Sequence, residues 1–425
     1  MELVIAIMKG YFVVTVIVMI CYAIRHYIFS YNRMFYKQKV SYRDIYDSEY
    51  PKIAVLIPMH NEELVVENVL ESLLKCDYDR DKMEIIPIND HSDDKTGEIL
   101  DKYSEKYNFV KVLHRNEPDQ LRGKPVGLNE AMELTDAEII IVFDADYRPS
   151  VNMLKKLATA FKDPQVGAVM GRVIPINANA NKLTTLLNLE RTGGYQVDQQ
   201  ARYNLGLIPQ YGGTVGGFRK ELLLENGGFD TKILAEDTEL TYRMYLKGYT
   251  VVYDNSAECY EEAPETWTVR GKQIRRWSRG HNEVMFKYFW KFLFCNNISI
   301  LQKIDGIMLL FIYFVPVLLF IALFDSVGLF FLGEMNIVGT WMAFIALGFY
   351  NAWGNFAPFY EISAGAILDG LKKEVYALPL LSFSFYFYMW YIMRGFFDAL
   401  IDVFTSRNVT WAKTKRFKNK EGEAK

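Results

Sequence analysis

Residues 138–146 read Glu138-Ile139-Ile140-Ile141-Val142-Phe143-Asp144-Ala145-Asp146. Five unbroken apolar side chains, most of them β-branched, end on two carboxylates. A strand without polar alternation has no face left for water, so it belongs in a sheet covered on both sides. The flanking sequence repeats the theme. Apolar runs at Ile53–Ile57, Glu84–Ile88 and Val110–Leu113 predict further strands. Helical periodicity follows the four runs in turn, at Val65–Leu74, Thr96–Tyr107, Val126–Leu134 and Met153–Phe161. This alternation predicts an α/β fold with a mainly parallel sheet. Such sheets bind ligands at the carboxyl ends of their strands, so function is expected just after each apolar run.

Those positions are polar and acidic. Pro58-Met59-His60-Asn61-Glu62-Glu63 follows the first strand, Asn89-Asp90-His91-Ser92-Asp93-Asp94 the second, and Asp144-Ala145-Asp146 the fourth. One acidic cluster is as often a helix cap, and Asp93 alone reads equally well that way. Three on one sheet edge make a pocket for a ligand with hydroxyls, ring N–H groups and a divalent cation. Two alternating carboxylates bind a hard cation through oxygen and leave ligand positions for phosphate. Arg122-Gly123-Lys124 precedes a helix with Pro125 in its first turn, and a lysine beside helix N–H groups suits a diphosphate, although a solvated loop lysine is the simpler reading. Tyr211-Gly212-Gly213-Thr214-Val215-Gly216-Gly217 is either a plain turn or a place where backbone meets ligand closely. Glu236-Asp237 opens a predicted helix, where carboxylates serve the dipole or, alternatively, act as a general base. In Gln273-Ile274-Arg275-Arg276-Trp277, Gln273 and Arg276 share a helix face with Trp277 beside them, a set that suits a diphosphate and a sugar ring or else a membrane-interface anchor.

The chain has 425 residues with 48 basic and 51 acidic side chains, and a balance this even argues against nucleic acid as a partner. Four scattered cysteines and five scattered histidines offer no disulfide framework or zinc spacing. The apolar runs gather at the two ends. Leu3–Ile24 is apolar except for Lys9, and the basic residues after it (Arg25, Arg33, Lys37, Lys39, Arg43) place that flank in the cytoplasm. Ile307–Phe324, Val338–Ala357 and Leu378–Met393 are candidate C-terminal spans. Three such spans would leave the tail outside, whereas Arg407, Lys413, Lys415, Arg416, Lys418 and Lys420 favour the inside. Arg394, Asp398 and Asp402 suggest that the last stretch lies along the surface. Val284–Leu301 and Lys182–Tyr203 read as interfacial segments or as ordinary amphipathic helices. The expected organisation is a membrane helix over 1–30, a catalytic domain over 51–280, an interfacial helix over 281–303, a membrane region over 304–404 and a basic tail over 405–425.

Asp90, Asp144-Ala145-Asp146, Glu236-Asp237 and Gln273-Ile274-Arg275-Arg276-Trp277 stand in the order and approximate spacing of a known set. Between about Ile53 and Lys291 the chain resembles the processive membrane members of the family-2 inverting glycosyltransferases, such as cellulose, hyaluronan, chitin and poly-N-acetylglucosamine synthases. The resemblance implies a GT-A type nucleotide-sugar-binding domain. It implies that Glu62 and Asp90 contact the uracil and Asp144 the nucleotide, and that Asp146 holds Mg²⁺ or Mn²⁺. Lys124 and Arg276 would contact the diphosphate with Gln273 in support. Asp237 would be the base with Glu236 beside it, Trp277 would stack on the acceptor sugar, and Gly213 and Thr214 would border the acceptor. Two departures stand out: Ala235 where relatives often carry Thr, and Arg122-Gly123-Lys124-Pro125 in place of a Lys-Ala-Gly form.

The expected reaction is inverting transfer from a UDP-sugar, with UDP-glucose and a β-glucan favoured and UDP-N-acetylglucosamine next. The partners are then the donor, a growing polysaccharide and the lipid bilayer of the plasma membrane, with the catalytic domain cytoplasmic. A lipid-acceptor glycosyltransferase and an inactive membrane scaffold are the competing classes.

Overall fold

The computed structural model describes residues 1–36, 49–117, 123–337 and 353–405. Among the described residues eight strands form one sheet in the order β3-β2-β1-β4-β7-β6-β8-β5. They are β1 (Ile53–Met59), β2 (Met83–Asp90), β3 (Leu113–Arg115), β4 (Ile139–Val142), β5 (Arg148–Pro149), β6 (Val166–Pro175), β7 (Gly216–Arg219) and β8 (Thr250–Glu261). β3, β2, β1 and β4 run parallel. The Ile139–Phe143 run behaves as its composition demands. Ile139, Ile141 and Phe143 enter the core on one face of the sheet and Ile140 and Val142 the core on the other, and β1 divides in the same way.

Helices α2 (Val66–Leu74), α3 (Thr96–Lys106), α4 (Lys124–Glu133) and α5 (Met153–Ala160) follow the strands within two residues of their predicted bounds, after α1 (Glu2–Phe35). The third strand differs. Only Val110 makes an isolated bridge to Ile85, and the paired strand lies later, at Leu113–Arg115. β7 enters antiparallel between β4 and β6, where glycines are required. A Cβ on Gly217 would come within 2.4 Å of the Ile140 carbonyl, and one on Gly216 within 2.2 Å of the Val169 carbonyl.

α6 (Lys182–Thr192), a π-helical stretch over Gly193–Gln199 and α7 (Gln200–Asn204) make one continuous helical run, and α8 (Lys220–Glu225) and α9 (Glu236–Leu246) follow. α10 (Trp267–Leu293) is unbroken, so the expected boundary at 280/281 falls inside one helix, and no separate interfacial helix begins there. The chain continues through α11 (Ile300–Leu310), α12 (Val315–Phe331), α13 (Ala357–Leu368) and α14 (Leu378–Thr405). Most of the Val338–Ala357 candidate span and the tail from residue 406 lie outside the described residues.

Two described helices are long and apolar enough to cross a membrane, Glu2–Phe35 and Glu374–Thr405, and α11 with α12 makes a third if that pair, bent by 68°, is one span. α1 and the α11–α12 pair run antiparallel. Lys9 meets Glu334 at 2.6 Å, the Tyr11 hydroxyl donates to the Leu318 carbonyl at 2.8 Å, and the Tyr22 hydroxyl donates to the Met308 carbonyl at 2.5 Å. At the domain end, Arg25 and Arg202 share Asp198 and Asp305, a buried network with charges of both signs in equal number. α13 lies against the helical run that starts with α6, where Gly193 faces Ile362 and Gly365 faces Thr192 so closely that neither glycine has room for a Cβ. The polar half of α14 packs along α10. Arg275 pairs with Asp398 at 2.6 Å, Arg279 pairs with Asp402 at 2.6 Å, and Gly271 lies under Tyr391. The surface-lying reading of Asp398 and Asp402 therefore corresponds to a helix docked on another helix.

Candidate functional site

The carboxyl ends of β1, β2 and β4 open on one side of the sheet, and hydrogen bonds join their loops. The Asn61 N–H donates to the Ser92 hydroxyl at 3.0 Å, the Asp93 N–H donates to the Asn61 side chain at 2.8 Å, and the Glu62 N–H donates to the Thr96 hydroxyl at 2.8 Å. The Glu62 side chain is buried. Asp94 accepts the Thr96 N–H at 2.9 Å just before α3, whose cap position, Lys95, has no side-chain cap. The Asp90 carboxylate meets the Arg115 guanidinium at 2.5 Å, the His91 ring at 2.7 Å and the Gly123 N–H at 3.0 Å. Arg115 is fully buried and also pairs with Glu130, so Asp90 ties β2 to the start of α4. Arg115 has no signal in the sequence, because a single arginine at a strand end carries no pattern.

That tie places Lys124. Its ammonium donates to Asp144 at 3.0 Å and to the Gly213 carbonyl at 2.8 Å, and it lies 3.3 Å from Glu236. An ammonium has three donors, and three acceptors surround this one. Burial alone would push the Lys124 ammonium down, yet Asp144 and Glu236 hold it above its ordinary value. The Asp144 N–H donates to the Thr214 hydroxyl at 3.1 Å, so the β4 loop and the glycine loop are bonded through side chain and backbone together.

Asp237 stands on the other side of the same glycine. Gly213 has φ +73°, and a Cβ there would lie 3.0 Å from Asp237 Oδ2. This contact requires glycine twice, for its backbone conformation and for its missing side chain. Burial, reinforced by the charge of Glu236, raises Asp237 to about 6. The Thr238 N–H donates to Asp237 Oδ1 at 2.6 Å and leaves the second oxygen toward Gly213.

Asp146 is buried two residues beyond Asp144. The next residue, Tyr147, donates its hydroxyl to Glu261 at 2.6 Å; Glu261 pairs with Arg191 at 2.7 Å, and the Arg191 guanidinium lies 5.6 Å from the centre of the Trp277 ring. Arg270 approaches the same ring at 5.1 Å, donates to Gln273 at 2.8 Å and pairs with Glu190, which also accepts the Tyr388 hydroxyl of α14 at 2.8 Å. Trp277 packs with Ile274, Tyr388 and Ile392, with half-buried Arg276 beside it on α10. Lys124, Asp144, Gly213, Thr214, Glu236 and Asp237 thus stand as one contact cluster, Glu62 and Asp90 flank it at neighbouring strand ends, and Gln273, Arg276 and Trp277 share a helix reached through Arg191. Glu190 and Arg191 were missed because they lie in a segment whose leucines read only as an amphipathic face.

Residues 51–280 match the family described as glycosyltransferase like family 2. The chain belongs to this family. A probable glycosyltransferase, YdaM of Bacillus subtilis (strain 168), is 31% identical over 373 residues, 87% of this chain and 88% of that protein. The probable glucomannan 4-beta-mannosyltransferase 6 of Oryza sativa subsp. japonica is 27% identical over 263 residues, 60% of this chain and 46% of that protein. Among solved structures, the mannosyltransferase PcManGT of Pyrobaculum calidifontis, in complex with GDP-Man and Mn²⁺, superposes with a TM-score of 0.59 at 19% identity, covering 85% of this chain and 98% of that one. At that identity the likeness is one of fold, and it agrees with the GT-A architecture expected for this glycosyltransferase.

Proposed function

We propose that this glycosyltransferase moves a hexose, with inversion, from a nucleoside-diphosphate donor to the hydroxyl end of a growing β-linked polysaccharide at a membrane surface. The observation that carries the reading is the position of Asp237: a half-buried carboxylate raised to about 6, against Gly213, in the same cluster as the β4 carboxylate Asp144. A general base works best with a pKa near the working pH. Asp237 takes the proton of the acceptor hydroxyl while that oxygen bonds to the anomeric carbon. The bond from that carbon to the diphosphate breaks, and the diphosphate leaves with the electron pair. Glu62 and Asp90 face the base of the nucleotide and Asp144 the nucleotide itself. Lys124 bridges the donor loop to Glu236, and one of its three contacts must open for the ammonium to reach the diphosphate. Arg276, supported by Gln273, offers positive charge from α10, and Trp277 flanks the acceptor, with Gly213 and Thr214 below it.

Two carboxylates in alternation fit Mg²⁺ or Mn²⁺, which take one or two carboxylates and complete their shell with water and substrate phosphate. Among the described residues no three metal-ligating side chains stand together. Asp146 is the residue that would hold the cation, with Asp144 beside it, and the bound cation supplies positive charge against the leaving diphosphate. We expect chelation to silence the enzyme, re-addition of Mn²⁺ or Mg²⁺ to restore it, and Asp146→Asn to raise the half-saturating metal concentration, all read as nucleotide release.

The membrane arrangement supports the same reading. Glu334 stands beside Lys9 at the far end of α1, whereas α13 packs on the catalytic domain, so the chain has returned to the domain's side by Ala357. With α14 docked on α10, the last described helix also ends on that side, which we read as the cytoplasmic one from the basic residues that follow Ile24. Resemblance favours UDP-glucose as donor. GDP-mannose is the second reading, favoured by the rice relative's mannosyl transfer. The test is the purified chain in lipid vesicles with a panel of UDP- and GDP-hexoses and linkage analysis of the product. A β-linked polymer retained after lipid extraction is expected. A product carried entirely into the organic phase would overturn the polymer reading.

A further inference from the structure

Asp237 sits in the first turn of α9, where the Thr238 N–H holds its carboxylate locally, while Ala235 at the cap position contributes no side-chain cap. Gln210 donates to the Thr238 hydroxyl at 2.8 Å and the Tyr211 N–H to the Thr241 hydroxyl at 3.0 Å, and α10 holds the entry to the turn, at Leu234 and Ala235. Glu283 accepts the Leu234 N–H at 3.1 Å. Gly280 lies so close that a Cβ there would come within 2.7 Å of the Ala235 nitrogen. His281 faces the Thr238 hydroxyl at 3.4 Å and the Leu309 carbonyl at 3.0 Å. Two charged groups face Glu283, Arg279 on its own helix at 3.4 Å and Asp402 on α14, which Arg279 meets at 2.6 Å.

We propose that Glu283 is a positioning residue for Asp237, and that the Glu283–Arg279–Asp402 chain makes the docking of helix α14 on α10 a condition for an aligned base. The inference rests on the reading of Asp237 as the base. α10 carries both Trp277 and, further along, Glu283 with its contact to the Leu234 N–H, so a helix that shifts α10 shifts both. Burial raises Glu283 to about 7, with Asp402 adding to the effect and the Leu234 N–H and Arg279 opposing it. Either protonation state keeps an oxygen for the Leu234 N–H, which is why an amide should serve nearly as well as the acid.

The test compares Glu283→Ala, Glu283→Gln, Asp402→Asn and Asp237→Asn in the full chain in vesicles, with kcat, donor KM and nucleotide affinity measured for each. Misplacing a catalytic group by about 1 Å costs on the order of 10²-fold, so E283A should lose about that factor in kcat with donor KM and nucleotide affinity unchanged. E283Q should recover most of the loss. D402N should lower kcat by less than E283A, and E283A/D402N should be no worse than E283A alone. Wild-type kcat in E283A, or independent multiplying losses in the double variant, overturns the inference. If E283A does not accumulate, D402N decides: lowered kcat at constant KM upholds it and unchanged kcat ends it. The two readings separate cleanly. A dead D237N with a normal E283A defeats this inference alone, whereas an active D237N defeats the base assignment beneath it.

Discussion

Asp237→Asn is expected to lower transfer by about 10³-fold and to leave nucleotide binding intact. The amide is nearly isosteric and can still accept the Thr238 N–H that orients Asp237, so the loop keeps its shape. It cannot take a proton from an acceptor hydroxyl at neutral pH. The wild-type pH profile should carry the same signature. Burial and Glu236 raise Asp237 to about 6, so the carboxylate is protonated and idle below that pH and free to act above it. kcat should therefore rise as pH climbs through about 6 and then level off. D237N should show no such limb in its residual rate. A D237N variant that turns over within a few-fold of wild type would remove Asp237 from the mechanism.

Lys124→Met is expected to cost about 10²-fold in kcat and to move the acid limb of the profile to higher pH. Lys124 is the positive charge shared by Asp144 and Glu236, and it also lowers Asp237. Without it, two carboxylates remain in a half-buried cluster with no ammonium between them, and Asp237 holds its proton more tightly. The sign is definite: a lost cation raises a carboxylate, so the variant needs more alkaline solution to reach its own plateau. Lowered thermal stability should accompany the change, because breaking a buried pair leaves an uncompensated charge. Lys124→Arg keeps the charge but not the compact three-contact geometry, and should recover the pH limb better than the rate. A K124M profile that falls in height without moving would show that Lys124 does not act on Asp237.

Arg115 and Arg191 show what kind of information a sequence withholds. Asp90, Asp146 and Asp237 follow local signals, an apolar run ended by a carboxylate or a helix opened by one, so they could be singled out residue by residue. Arg115 matters because it is fully buried between Asp90 and Glu130, and those lie 25 and 15 residues away in the chain. Arg191 matters because it joins Glu261 to the face of Trp277. Neither belongs to a repeating pattern, since an ion pair closed by folding imposes no spacing. The expected domain boundary at 280 coincides with the end of the family match, while residues 281–293 continue the helix that begins at Trp267, and no local signal marks whether a helix stops where a domain does.

By itself the sequence determined the α/β class, the parallel half of the sheet and the acidic strand ends, because a strand buried on both faces must be apolar at every position and must stop where polarity begins. It also determined that both ends of the chain carry membrane-length apolar segments. Only the tertiary structure decided that Lys124, Gly213 and Asp237 meet, that β7 enters antiparallel through two glycines, and that α14 lies on α10 through Asp398 and Asp402. Periodicity reports which face of an element avoids water. It carries no record of which distant element supplies the opposite charge or the space left by a missing Cβ, and the chemistry of this site is built from those two things.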